Sequence, residues 1–335
     1  MEDRLLTALR EHPGAFLSGE ALSRASGVSR AAIWKQIEKL REEGYKITAQ
    51  PHLGYRLVAP PDRLIPEELS WGLTTAVVGR RLSSYAATDS TMDVAHRLVA
   101  AGEPEGHAVF AESQARGRGR LGRTWQSPAG QGIYVSVILR PAVSLASAPL
   151  LTLLAAVALV ETIRETAGLE ARIKWPNDVL LGDRKVAPRS GTPVDGDGYR
   201  KVAGILTELH AELNRVRAAI LGIGLNVNTP RTALPKFATS LAAARGARCD
   251  RLAVARGLLT ALDRWYGDFT RHGPSRLLAA WRDASMTLGR RVRVACQDRS
   301  VDGQAVDVGD DGTLIVRTDT GRKETITAGE VLIVR

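Results

Sequence analysis

Apolar positions recur at helical spacing from the start of the chain. Leu5, Leu6, Ala8 and Leu9 share one face of a segment from Asp3 to His12, which Pro13-Gly14 ends. Ser18 is placed to cap a second helix that opens Gly19-Glu20-Ala21-Leu22, and Gly27 to turn the chain. Ser29 then caps a third helix, Arg30 to Glu43, whose inner face is Ile33, Ile37 and Leu40. After Gly44, residues 45–49 and 54–58 read as two short strands around Pro51-His52-Leu53-Gly54. Helix, helix, turn, helix and hairpin predict a winged helix-turn-helix over residues 1–60.

Prolines at 60, 61 and 66 mark a linker and a boundary. From 67 to 285 the pattern alternates between apolar, β-branched runs and helical stretches, as in a mixed α/β layer fold. Gly132 to Leu139 and Ala218 to Val227 are strand candidates; Leu145 to Ala167 and Arg251 to Arg271 are helical. The run Leu150 to Val160 is apolar but too short to span a bilayer. From 286 to 335 the period is two again. Val292 and Val294, residues 303–308, 313–317 and 331–334 alternate between the turns Gly309-Asp310-Asp311-Gly312 and Asp319-Thr320-Gly321. Some five short strands are predicted there, as in a small SH3-like β-barrel. The fold class expected is α+β in three domains, 1–60, 67–285 and 286–335.

Composition narrows the setting. With 335 residues and 44% hydrophobic positions the chain can bury large cores, and disorder is excluded. Two cysteines, Cys249 and Cys296, exclude a disulfide framework and fit a reducing, cytoplasmic setting. The charged start Met1-Glu2-Asp3-Arg4 is unlike a signal peptide. The net charge is +10, but residues 1–57 hold nine Lys/Arg against seven Asp/Glu, while 245–293 hold eleven Arg against four Asp. That excess reads as a solvated helical face or as a nucleic-acid surface; charge alone does not decide.

On the third helix, Arg30, Trp34, Lys35 and Gln36 are expected to point outward beside small alanines, with Ser29 at the cap. That suits a recognition helix reaching phosphates and base edges; the plainer alternative is a protein-docking helix. Gln114-Ala115-Arg116-Gly117-Arg118-Gly119-Arg120-Leu121-Gly122-Arg123-Thr124-Trp125 sets four arginines in eight residues among glycines. Glycine lets backbone approach a ligand, and guanidinium matches phosphate. The run lacks the Gly-Lys-Ser/Thr ending of a Walker loop, and its composition predicts mobility without ligand. Lys174-Trp175-Pro176-Asn177-Asp178, Lys201-Val202-Ala203-Gly204-Ile205-Leu206-Thr207-Glu208 and Gly222-Ile223-Gly224-Leu225-Asn226-Val227-Asn228 follow; each alone is weak.

In this order the four motifs closely resemble the bifunctional biotin–protein ligases that also serve as biotin operon repressors. The resemblance runs over nearly the whole chain and implies a class II synthetase-like ligase core. It implies ATP, magnesium, biotin as substrate and biotinyl-5′-AMP as intermediate and corepressor. It implies a biotin carboxyl carrier protein as acceptor, operator DNA, a homodimer on ligand binding, and no membrane. By the same resemblance Ser90, Thr91, Met92, Gln114, Arg118 to Arg120 and Lys201 contact biotin, and Arg118 retains the adenylate. Arg120 and Arg123 face nucleotide phosphates. Trp125 resembles the aromatic near adenine, or is a plain core tryptophan. Asn177 and Asn226 contact nucleotide or metal, with Gly117, Gly119 and Gly204 giving close backbone. Asp178 steers or deprotonates the acceptor lysine, and Lys201 holds carboxylate and α-phosphate. No metal ligand set is legible.

Three departures from the family pattern stand out: Met92 in place of asparagine, Leu121 in place of an arginine of some relatives, and an extra segment before Lys201. Arg184-Lys185-Val186-Ala187 is echoed by Arg200-Lys201-Val202-Ala203, with a turn-rich stretch between that reads as an exposed loop. Spacing nominates Lys185 as the catalytic lysine. Context nominates Lys201, which Gly204 and an apolar run follow, whereas Lys185 runs into Pro188. Lys201 is the expectation. The rival enzyme is a lipoate or octanoate ligase, which lacks this arginine–glycine loop; other readings are a decayed ligase core or a winged helix that no longer binds DNA.

Overall fold

The computed structural model describes residues 4–182 and 198–334. Lys185 and the turn-rich stretch from 186 lie outside them up to residue 197. The chain divides into two compact units, Met1–Asp62 and Arg63–Arg335, parting inside the proline-rich linker.

The first unit holds α1 (Arg4–Glu11), α2 (Gly19–Ser26), α3 (Arg30–Glu42), β1 (Lys46–Gln50) and β2 (Gly54–Ala59). Both predicted caps form: Ser18 Oγ accepts from Ala21 N at 3.1 Å and Ser29 Oγ from Ala32 N at 3.3 Å. Gly27 closes α2 in the left-handed region, φ 75°. Leu5, Leu9, Leu22, Ile33, Ile37 and Leu40 make the core. β1 and β2 pair antiparallel as the wing. Gly54 (φ +103°) is forced to be glycine, since a Cβ there would lie 2.0 Å from Leu17 O.

The second unit opens with α4 (Pro66–Ser70) and is built on a seven-stranded sheet, order β3-β4-β5-β9-β8-β7-β6. The strands are β3 (Arg81–Tyr85), β4 (His107–Ala111), β5 (Gly132–Leu139), β6 (Ala171–Lys174), β7 (Asp178–Gly182), β8 (Tyr199–Glu212) and β9 (Arg215–Asn226). Only β3–β4 is parallel. Strand alternation splits the core between the two faces. Ile133, Val135, Val137 and Leu139 of β5 join the cluster that includes α6 (Pro149–Ala167), α8 (Arg251–His272) and α9 (Ser275–Ala284). Ile138 of β5 and Ile220 of β9 face the other way, onto Met92, Val94 and Ala95 of α5 (Thr91–Ala100). α6 starts four residues later than its apolar pattern predicts, because Pro149, which has no N–H, takes the first helical turn. A short α7 (Leu241–Arg245) precedes α8.

The C-terminal strands are β10 (Arg291–Ala295), β11 (Ser300–Val308), β12 (Leu314–Arg317), β13 (Lys323–Ile326) and β14 (Glu330–Val334). They form one antiparallel sheet, β13-β12-β11-β10-β14. Among the described residues no ladder joins β13 to β14, so the sheet is open where a barrel was expected. Its inner residues Val292, Val294, Val301, Leu314 and Val316 belong to the same apolar cluster as α6 and α9. No described helix is long and apolar enough to cross a membrane.

Candidate active site

The site lies where β7, β8 and β9 meet the arginine–glycine loop. Lys174-Trp175-Pro176-Asn177 leaves β6 and delivers Asp178 to the head of β7. Asp178 pairs in register with Gly204, three residues along β8 from Lys201. Across this gap Lys201 Nζ reaches Asp178 Oδ1 at 2.6 Å, both side chains about three-quarters buried. The Lys201 backbone is pinned on both sides, its N–H donating to Phe237 O at 2.9 Å and its carbonyl accepting from Thr239 N at 2.8 Å. Asn177 is fixed as firmly: its Nδ2 donates to Ile205 O at 2.9 Å, and its Oδ1 accepts from Arg120 at 3.0 Å.

The loop folds back on itself as a narrow hairpin. Trp125 N donates to Gly117 O at 2.8 Å and Gly119 N to Arg123 O at 2.6 Å. Gly117 admits no side chain, since a Cβ would lie 2.5 Å from Trp125 O. At the tip Leu121 is exposed and sits in the left-handed region, φ 55°. Trp125 lies across the sheet over a glycine gap. A Cβ on Gly224 would meet its Cε2 at 2.4 Å and one on Gly204 its Cζ3 at 3.1 Å. Its ring centroid is 5.6 Å from Lys201 Nζ, and its indole N–H is buried without a partner. Trp125 is half-buried and lines the cavities of the candidate site.

Two cavities are lined in part by Trp125. The larger, about 390 Å³, is lined by Arg120, Arg123, Lys174, Asp178, Lys201 and Glu330 among its charged groups, and by Trp175, Asn177, Asn226 and Phe237. Four cations against two carboxylates suit an anionic ligand. Arg123 forks onto Glu330 at 2.7 and 2.8 Å. Burial holds the Arg120 guanidinium's pKa below its ordinary value, with the Asp178 and Glu330 charges opposing. The smaller cavity, about 50 Å³, is lined by Ser90, Thr91, Met92, Gln114, Arg118, Gly204 and Gly222 among others. It shares Gly119, Arg120, Trp125, Asn177 and Lys201 with the larger.

A polar chain runs from the lining of the smaller cavity, Thr91 and Gln114, to residues behind it. Gln114 Oε1 accepts from Thr91 N at 2.9 Å and from Thr91 Oγ1 at 3.1 Å, and its Nε2 donates to Ser127 Oγ at 2.9 Å. Ser136 Oγ donates to Thr91 Oγ1 at 2.8 Å. Ser90 Oγ caps α5 at Met92 N, 3.3 Å. Met92 packs against Gly222, where a Cβ would meet its sulfur at 2.6 Å, so it borders the cavity from within the apolar cluster. Ser127, Ser136 and Glu330 escaped the sequence reading because each is an ordinary polar residue whose partners are distant in sequence. Asn226 lines the larger cavity while largely buried, its Nδ2 donating to Thr239 O at 3.0 Å.

Of the residues expected to read DNA, Ser29 is the cap of α3, and Trp34 and Lys35 are exposed on it. Arg30 is exposed but paired with Glu20 of α2 at 3.0 Å.

Comparison with known proteins bears on this arrangement directly. The chain is 39% identical over 317 residues to the bifunctional ligase/repressor BirA of Bacillus subtilis, covering 93% of each. The chain belongs to the bifunctional biotin ligase/repressor family. Residues 84–226 match the Biotin/lipoate A/B protein ligase family, 2–56 an HTH domain and 287–334 the Biotin protein ligase C terminal domain. BirA of Escherichia coli is 30% identical over 310 residues, covering 91% of this chain and 89% of that protein. Biotin protein ligase from Aquifex aeolicus, solved in complex with biotin and ATP, superposes with a TM-score of 0.62 at 27% identity. It covers 76% of this chain and 99% of that one.

Proposed function

We propose that this protein is an ATP-dependent biotin–protein ligase that also acts as a biotin-responsive repressor. One observation carries the ligase reading: a small polar-lined cavity meets a larger cationic one at a lysine–aspartate pair. Biotin would enter the smaller cavity, its ring facing Gln114, Thr91 and Ser90. ATP would enter the larger, its phosphates toward Arg120 and Arg123. The biotin carboxylate then attacks the α-phosphorus and pyrophosphate leaves. Lys201, held by its backbone, neutralises the charge that carboxylate and α-phosphate share in that step. Arg118 retains the acyl-adenylate. In the second step the carrier lysine amine attacks the acyl carbon, AMP leaves, and Asp178 receives the ammonium proton. Among the described residues no three His, Cys, Asp or Glu side chains converge as a metal cage. Magnesium arriving with ATP would offset phosphate charge as pyrophosphate leaves, and no protein ligand is assigned to it.

The repressor half of the reading rests on the capped α3, the wing and the HTH match. Three working modules, 1–60, 67–285 and 286–335, fit the three matched regions, with an SH3-like strand count in the last. A homodimer forms on ligand binding, pairing two helices on a two-fold operator, and the cytoplasm is the compartment. Incubation with biotin, ATP, magnesium and a biotin carboxyl carrier domain tests the ligase. The carrier should gain the mass of one biotinyl group, only with ATP present; no gain beside an active control ligase would refute it.

A further inference from the structure

Arg118 does not stand alone. It leaves the loop hairpin to lie between two acids from different elements, Asp93 on α5 and Glu208 on β8. Behind them is a histidine pair that no motif contains. Asp93 and His96 are three apart on α5 and so share a face; Glu208 and His210 are two apart on β8 and so share the other. His96 Nε2 contacts Glu208 Oε2, the same oxygen that Arg118 reaches at 3.3 Å, and His96 Nδ1 lies 2.8 Å from His210 Nε2.

With both rings neutral only one proton arrangement satisfies every contact. An ionised Glu208 only accepts, so His96 donates from Nε2. Its Nδ1 must then accept, so His210 donates from Nε2. The result is a chain from His210 through His96 to Glu208, with the carboxylate facing Arg118. Arg140 is the other charge felt at His210. Burial, His96 and Arg140 hold the pKa of His210 below its ordinary value, and Glu208 opposes them.

We propose that Glu208, aimed by the His96–His210 pair, is a positioning residue that holds Arg118 over the biotin end of the cleft and so sets how tightly the acyl-adenylate is retained. This rests on the ligase reading and on Arg118 as the retaining group.

The readout is the ratio of biotin on bystander lysines to biotin on the carrier domain, which does not depend on how much enzyme is folded. Glu208→Gln keeps an oxygen for His96 but removes the charge facing Arg118. It should raise the ratio about tenfold, the scale of one charge-assisted hydrogen bond. Arg118→Gly should raise it more, and adding Glu208→Gln to Arg118→Gly should change nothing further, as residues acting through one group do not add. His96→Ala should raise the ratio in the same direction, since Glu208 then loses the partner that aims it. An unchanged ratio in Glu208→Gln or in His96→Ala, or additive effects in the double variant, would each overturn the proposal. A protein that never biotinylates the carrier would refute the ligase reading instead, and an Arg118→Gly variant that leaks nothing would refute the role of Arg118.

Discussion

At the scale of single residues, spacing and local context nominate different lysines for the proposed catalytic role. Counting from Asp178 leads to Lys185. The ladder leads to Lys201, which stands on β8 beside Asp178 with its backbone bonded to Phe237 and Thr239. Lys201→Ala should lose adenylate formation by at least about a hundredfold, the scale for losing a preorganised charge. Lys185→Ala should stay within a few-fold; pyrophosphate release with biotin and ATP measures both. A reversed result would mean that the strand register around the extra segment differs. The place of Lys201 on β8 was legible because Gly204 and the apolar run behind it are local. The Arg118 clamp was not, because Asp93, His96, Glu208 and His210 are ordinary residues until α5 is laid on β8. Pairings across 90 or more residues leave no periodic trace.

Among elements, the arginine–glycine loop lends residues to both cavities while holding few apolar side chains of its own. Its sequence promised little apolar anchorage, yet Trp125 is seated on Gly204 and Gly224 and Arg123 is forked onto Glu330. The tip between them, Arg120 to Gly122, keeps Leu121 exposed in a left-handed conformation. Trypsin should therefore cut after Arg116 to Arg123 in the free protein, and biotin with ATP should slow that cut severalfold by engaging Arg118 and Arg120. Equal rates would mean that the loop is already set before ligand arrives. Elsewhere the caps, Gly27 and the long apolar runs were readable in advance. β13 was not, because Lys-Glu-Thr-Ile offers only one buried position, Ile326, and no alternation to count.

Taken whole, the molecule joins a DNA-reading module to an enzyme whose intermediate is the proposed corepressor. On a biotin-gene promoter, gel shifts should require biotin and ATP, and binding should fall steeply with salt. Replacing Arg30 and Lys35 together should weaken binding and flatten the salt slope by about one for each phosphate no longer neutralised. Arg30 must first leave Glu20, so Glu20→Ala should leave binding no weaker. Shifts of period suggested three parts, whereas the chain divides into two compact units, Met1–Asp62 and Arg63–Arg335; the open C-terminal sheet was not legible, since strand count says nothing about which edges meet. Gly182 and Tyr199 pair at one end of the β7–β8 ladder, the opposite end from Asp178 and Gly204. Lengthening the connection between two paired residues costs only a logarithm of its length. An insertion between them should therefore leave carrier biotinylation within a few-fold, which would make that junction a point at which to divide the enzyme into halves that work only when brought together.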